Sequence, residues 1–211
     1  MGQYRGKLTY EFCMALLTKR QQAIILGAVL GDSTVEKAWK NPRIRFAHSI
    51  KQQEYLFWKY NEFKDISCKP ALIRERHWKT DKIYESWQFN THALDELHYY
   101  RNFFYPNGKK IIQDQIINVL TNPLSLAVWF MDDGYKRNDC NALRLNTDSF
   151  SLPGQILLQS ALEKNFEIKS TLHRKGEYWN IYIPESSVRR FVQIVKPYIL
   201  PSLAYKISLA P

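Results

Sequence analysis

The chain repeats itself, and this limits its fold more than any other feature. Ile25-Leu26-Gly27-Ala28-Val29-Leu30-Gly31-Asp32-Ser33 has a counterpart in Leu126-Ala127-Val128-Trp129-Phe130-Met131-Asp132-Asp133-Gly134. Each is an apolar run that ends in an acid followed by a small residue. Each also has a helix start signal. Thr18 with Gln21 three residues later reads as a capping box. Asn122 before Pro123 reads as an N-cap with proline at the first helical position.

The pattern continues downstream of each run. Residues 43–49 and 142–149 alternate with period two, as half-buried strands do. Arg43, Arg45 and Ala47 point one way; Ile44 and Phe46 point the other. Ala142, Arg144 and Asn146 likewise oppose Leu143 and Leu145. Helical stretches follow at 53–63 and 154–165. Hairpins follow those, 72–78 returning as 82–89 and 171–174 returning as 178–183. Further helices are expected over 93–104 and 186–195. The order in both halves is helix, two strands, helix, two strands, helix. This predicts an α+β fold of two αββαββα repeats, 1–112 and 123–211, joined by a linker over 113–122. If a pseudo-twofold relates them, the two apolar helices meet at the axis. That explains the small Gly27, Ala28 and Gly31. Asp132 and Trp129 are bulkier, so the contact cannot be fully symmetric.

The formal net charge is +10, and both halves are basic, which points to a polyanion partner with nucleic acid first. Cys13, Cys68 and Cys140 have no metal-ligand spacing and read as reduced thiols of an intracellular protein. No apolar run is long enough to span a membrane, and Met1 to Thr9 has no apolar core of a secretory signal. There is no Walker A loop, GxSxG or HExxH. Glu62-Phe63-Lys64 resembles a nuclease ExK fragment, but it falls in a predicted helix, where positions i and i+2 diverge.

The two motif runs resemble the paired motif of LAGLIDADG homing endonucleases. Leu26-Gly27…Leu30-Gly31-Asp32 and Leu126-Ala127…Met131-Asp132-Asp133-Gly134 carry the match. The second run, with residues 145–150 and 196–201, looks like the single-chain, intron-encoded branch. The resemblance implies two saddle-shaped antiparallel sheets with basic concave faces along the major groove, and motif helices packed at the centre. It implies a monomer that cuts a long, non-palindromic duplex on both strands to leave short 3′ overhangs, promoting intron homing. It also implies a setting in mitochondria, chloroplasts or microbes. Some members of the family are RNA-splicing maturases, so intron RNA is an alternative partner.

Phosphodiester hydrolysis needs a deprotonated water, neutralised phosphate charge and a stabilised leaving oxygen. Divalent metal ions meet all three needs. Asp32 and Asp133 are the expected ligands, for Mg²⁺ in the first place, with Mn²⁺ or Ca²⁺ able to occupy the site in vitro. An acid at a helix C-terminus opposes the macrodipole; doing so twice suits a cation site better than a fold. Asp132 has Gly31 as its counterpart and is expected to contribute to structure more than to chemistry. Lys110 and Lys206 follow prolines at matching positions and are expected to stabilise transition-state charge. Arg45 and Arg144 are expected near the attacking water. Base-reading candidates are Arg43, Arg74, Arg76, Gln88, Lys136, Arg137, Arg174 and Asn180. Lys37, Lys40, Lys79, Lys82 and Lys175 are expected to hold phosphates. A one-residue register slip would turn a groove contact inward.

Overall fold

A computed structural model describes residues 17–208. Cys13 and the segment 1–9 lie outside them. Helix α1 (Lys19–Leu30) starts at Thr18, whose side chain and that of Gln21 make the reciprocal capping-box bonds. Helix α5 (Pro123–Asp133) starts at Asn122, whose side chain accepts from the Leu124 amide. Both helices are buried almost all round: Ala23 to Leu30 in α1 and Leu124 to Asp132 in α5. A helix apolar on every face has to sit inside. These two pack on each other more extensively than any other described pair of elements.

The close approach is made where the sequence is small. A Cβ on Gly27 would collide with the Ser125 carbonyl oxygen and lie 2.8 Å from Val128 Cβ. A Cβ on Gly31 would lie 2.5 Å from Asp132 Cβ. The Ser125 hydroxyl adds a bond across the interface, donating to the Ala23 carbonyl at 2.8 Å.

Each motif helix leads into a four-stranded antiparallel sheet. Strands β1 (Thr34–Glu36), β2 (Arg43–Ser49), β3 (Ala71–Arg76) and β4 (Ile83–Asn90) are ordered β1-β2-β4-β3. Strands β5 (Gly134–Lys136), β6 (Leu143–Leu145), β7 (Thr171–Lys175) and β8 (Tyr178–Ile183) are ordered β5-β6-β8-β7. The connectivity is the same in both halves. Helix α2 (Gln53–Phe63) packs on the first sheet, where Phe46 stacks on Phe89 with ring centroids 4.8 Å apart and meets Phe63 at 5.2 Å. Helix α6 (Leu152–Phe166) covers the second through Leu158, Leu162 and Phe166.

Helix α3 (Leu97–Phe104) is shorter than the expected 93–104. Residues 93–94 are irregular and 95–96 form a turn, and the Leu94 amide donates to the Pro42 carbonyl instead of a helical partner. The joining segment is no free tether. It holds a short helix, α4 (Ile116–Val119), and the Asn165 side chain of α6 donates to the Ile117 and Leu120 carbonyls at 2.7 and 2.8 Å. Helix α7 (Glu185–Val195) packs against α5, with Phe191 edge-on to Phe130 at 4.9 Å. Among the described residues, no helix is long and apolar enough to cross a membrane.

Gly27→Ala should lower stability by about 1–3 kcal/mol, the usual cost of overpacking a close contact. Urea unfolding measures this. An unchanged midpoint would show that the helix crossing tolerates separation.

Candidate metal centre

Asp32 lies two residues past α1 and Asp133 is the last residue of α5, so parallel positions carry both acids to one place. Their electrostatics show the convergence. Burial, and then the Asp32 charge, push the Asp133 carboxyl up to about 7. Burial, and then the Asp132 charge, raise that of Asp32. Each carboxylate is thus short of positive partners.

The two expected lysines come to the same helix ends. Lys110 Nζ donates to the Gly31 carbonyl at 3.0 Å, and Lys206 Nζ to the Met131 carbonyl at 2.6 Å. A cation suits those orphan carbonyls. Burial lowers the pKa of both lysines, while Asp32, Asp132 and Asp133 oppose that shift. Each lysine therefore sits in the field of all three acids.

Asp132 does not join the exposed pair. Its side chain is completely buried and meets Lys59 Nζ at 2.7 Å, which is equally buried. Lys59 also touches His48 Nε2 at 2.9 Å and lies over the Tyr55 ring at 4.3 Å. Burial, and then the Lys59 charge, push the His48 pKa down to about 3, so the ring is neutral. The sequence reading missed both residues. His48 was accessible in principle, because it continues the inward parity of Ile44 and Phe46. Lys59 looked like a solvated helix lysine and left no signal.

One ligand atom each from Asp32, His48 and Asp132 lies within 4.8 Å of the others. That trio is the poorer cation site, because Lys59 already neutralises Asp132 and occupies His48 Nε2. Asp32, with its side chain 46% exposed, and the half-buried Asp133 offer free carboxylate oxygens, the donors that Mg²⁺ and similar hard cations take. Their raised pKa values fit a place where positive charge is missing.

Directly paired residues in an antiparallel ladder share a face, and this sorts the sheet candidates. On the first sheet the open face carries Arg43 and Arg45, with Gln88 paired to Ala47 and Asn90 to Arg45. Arg43 and Arg45 both pair with Glu36, at 3.0 and 3.3 Å. On the second sheet it carries Arg144, paired with Tyr135 and Tyr182, and His173 stacked on Tyr182 at 4.0 Å. Arg137 lies over the same Tyr182 ring at 6.0 Å. Arg144 Nε is buried with no hydrogen-bond partner among the described residues.

The pairing register places five more of the base-contact candidates. Arg74 and Arg76 pair with Glu85 and Ile83, on the face that holds Phe46 and Phe89. Lys136 pairs with Leu143, and Arg174 with Trp179, on the face of Ile181 and Ile183. The two-residue period sets these four on the face opposite Arg43, Arg45 and Arg144, although the Arg74 and Arg76 side chains, near the hairpin end, remain largely exposed. Asn180 is fully buried, with its Oδ1 accepting from the Thr147 amide at 3.1 Å. Two exposed tryptophans, Trp39 and Trp78, were not expected, because nothing in local pattern marks a loop-tip aromatic as outward.

A duplicated α+β body with two central helices ending in paired acids, flanked by two sheets with basic open faces, has the layout of a metal-dependent nuclease. The chain belongs to the LAGLIDADG DNA endonuclease family, whose sequence profile matches residues 22–191. It is 32% identical over 212 residues to DNA endonuclease I-ChuI of Chlamydomonas applanata, covering 91% of this chain and 96% of that one. It is 32% identical over 199 residues to cytochrome b mRNA maturase bI2 of Debaryomyces hansenii, covering 91% and 75% respectively. Among solved structures, homing endonuclease I-WcaI bound to its DNA recognition sequence superposes with a TM-score of 0.86 at 25% identity, covering 99% and 96% of the two chains.

The raised Asp133 pKa has a thermodynamic sign. In the folded state the group binds its proton more tightly than in the unfolded chain, so its ionisation costs stability. The cost is absent below the unfolded value of 3.8, grows as pH rises, and is complete above about 7. In metal-free protein, Asp133→Asn should raise Tm at pH 8, with the gain shrinking as pH falls toward 4. Calorimetry with a chelator tests this; a gain independent of pH would contradict it.

Proposed function

We propose that this chain is a monomeric homing endonuclease that binds a long, non-palindromic DNA duplex and hydrolyses both strands, leaving short 3′ overhangs. The observation that carries the reading is the convergence of the two helix ends, where the Asp32 amide donates to the side chain of Asp132, the neighbour of Asp133, at 3.4 Å, and the Asp32 charge raises Asp133. Its relatives named for endonuclease activity support it, as does the likeness to I-WcaI on its DNA.

Asp32 and Asp133 would hold divalent cations, Mg²⁺ in the first place, one acid for each strand-cutting centre. A bound cation supplies Lewis acidity and a low-pKa water. Lys110 and Lys206 lie within the field of these acids and would offset phosphate charge as it builds. Both also hold the ends of the motif helices, which fixes the acids in place. Burial lowers the lysine pKa values, while the surrounding carboxylates keep the ammonium form favourable. Arg45 and Arg144 occupy matching positions on the open sheet faces and would clamp or orient the scissile region.

Base reading falls to open-face residues: Arg43, Gln88 and Asn90 on the first sheet, Arg137, Tyr182 and His173 on the second. Arg, Gln and Asn can bond bidentately to base edges in the major groove. Arg43 and Arg45 share Glu36, which holds them in place until phosphates or bases compete for them. The family's intron-encoded members make an organellar or microbial intron the expected genetic setting.

The similarity to bI2 mRNA maturases favours a second reading, in which the same basic faces bind intron RNA and promote splicing. Retention of both acids favours the nuclease, since a pure RNA binder has no use for two uncompensated carboxylates.

Asp32→Asn and Asp133→Asn should each abolish double-strand cleavage of a target selected from a random duplex library, with binding retained. Normal cutting by either variant would remove that acid from the site. Binding should also fall steeply with salt, log K dropping linearly against log[salt] as counterions are released. A flat salt response would argue against a phosphate-tracking surface.

A further inference from the structure

The two metal acids are not served alike. Lys59 rises from α2 in the first half, and its ammonium meets Asp132 Oδ1 of the second half at 2.7 Å and His48 Nε2 at 2.9 Å. Tyr55, one turn earlier on α2, donates to the Val128 carbonyl at 3.2 Å. This edge of α2 is therefore tied to α5 at two points. An ammonium has donors only, so His48 Nε2 must be the acceptor. A neutral imidazole carries one N–H, so that proton sits on Nδ1. Nδ1 lies 3.9 Å from Asp32 Oδ2, a charge–dipole contact longer than a hydrogen bond, and the Gln52 side chain hydrogen-bonds the ring.

Among the described residues, nothing equivalent stands beside Asp133. Thr147 occupies the place of His48, two residues beyond Leu145 as His48 is beyond Phe46. Its hydroxyl donates to Gln155 Oε1 at 2.8 Å and accepts from the Ile181 amide at 3.2 Å. It is committed within its own half.

We propose that Lys59 fixes the tautomer of His48 and that His48 thereby turns the positive Nδ1–H edge of its ring toward the Asp32 carboxylate 3.9 Å away, making both residues positioning groups for only one of the two strand-cutting centres. The inference rests on the nuclease reading for its consequence, but not for its geometry. Partners that orient metal-ligating carboxylates tune the bound ion. Asp132 supplies the counter-charge that keeps Lys59 in place. A residue of the second half thereby sets up the metal acid of the first.

Two measurements on the full chain test this. A long-range ¹H–¹⁵N spectrum of the DNA-free, metal-free protein should show His48 as the Nδ1–H tautomer. It should show loss of that preference in Lys59→Met with Asp132→Asn, which removes both buried charges together. Strand-resolved cleavage of an end-labelled target with Mg²⁺ should then show one strand slowed roughly 10–100-fold and the other changed by no more than about twofold, so that nicked duplex accumulates. If the double variant does not fold, His48→Asn leaves the Lys59–Asp132 pair intact and should give the same strand-selective slowing. An Nε2–H tautomer in the wild type, equal slowing of both strands, or no slowing would overturn the proposal. Failure of the wild type to cut any duplex would defeat the nuclease reading instead, while the tautomer measurement would still decide whether Lys59 sets the His48 ring.

Discussion

The fold depends on two helices coming closer than side chains normally permit. Gly27 meets the Ser125 backbone and Val128, and Gly31 meets Asp132. With the helices this close, their C-terminal ends fall side by side, and whatever residue follows each is delivered to the same point. The sheets are carried outward from that point by short connections: three residues part the first motif helix from β1, and the second runs directly into β5. The helix contact therefore fixes both the separation of the acids and the relation between the two open faces.

That contact concentrates negative charge. Asp32, Asp132 and Asp133 all lie near helix C-termini, where the macrodipole already disfavours an acid. The structure answers in two ways. Asp132 is withdrawn from solvent and paired with Lys59. Breaking such a pair by removing one partner typically costs about 3–5 kcal/mol, because a lone buried charge is left. Among the described residues, Asp32 and Asp133 have no direct ion pair to a lysine or arginine, and Lys110 and Lys206 are bonded to backbone carbonyls nearby. The uncompensated pair weakens the empty protein and gives a cation a reason to bind. The fold's stability and its chemistry pull in opposite directions here, as expected where a site is strained for function.

Much of this was legible in the sequence, for reasons that can be stated. Caps at Thr18 and Asn122 and unbroken apolar runs fixed the two central helices locally. The period-two stretch 43–49 fixed which residues of β2 face outward. Small residues at 27 and 31 foretold the crossing, and the mismatch of Gly31 with Asp132 foretold its asymmetry. What was lost depended on relations between elements. Arg74, Arg76, Lys136 and Arg174 were chosen by charge, and only the pairing register shows which face each occupies. Asn180 is turned to the Thr147 amide, a contact 33 residues away. Lys59 is buried because Asp132 lies 73 residues away, and no local window contains both.

Duplication inside one chain makes such a relation possible. Two identical subunits would have to place the same residue at both copies of the crossing, and a carboxylate facing a carboxylate there would leave no room for close packing. A single chain can put glycine on one helix and aspartate on the other. The space that Gly31 leaves is filled by Asp132, and the charge that Asp132 brings is met by Lys59 on one side only. Asymmetry at a single packing contact thus spreads to His48 and so to the surroundings of Asp32. Under the proposed function, the same divergence lets the chain tune the surroundings of Asp32 and Asp133 separately.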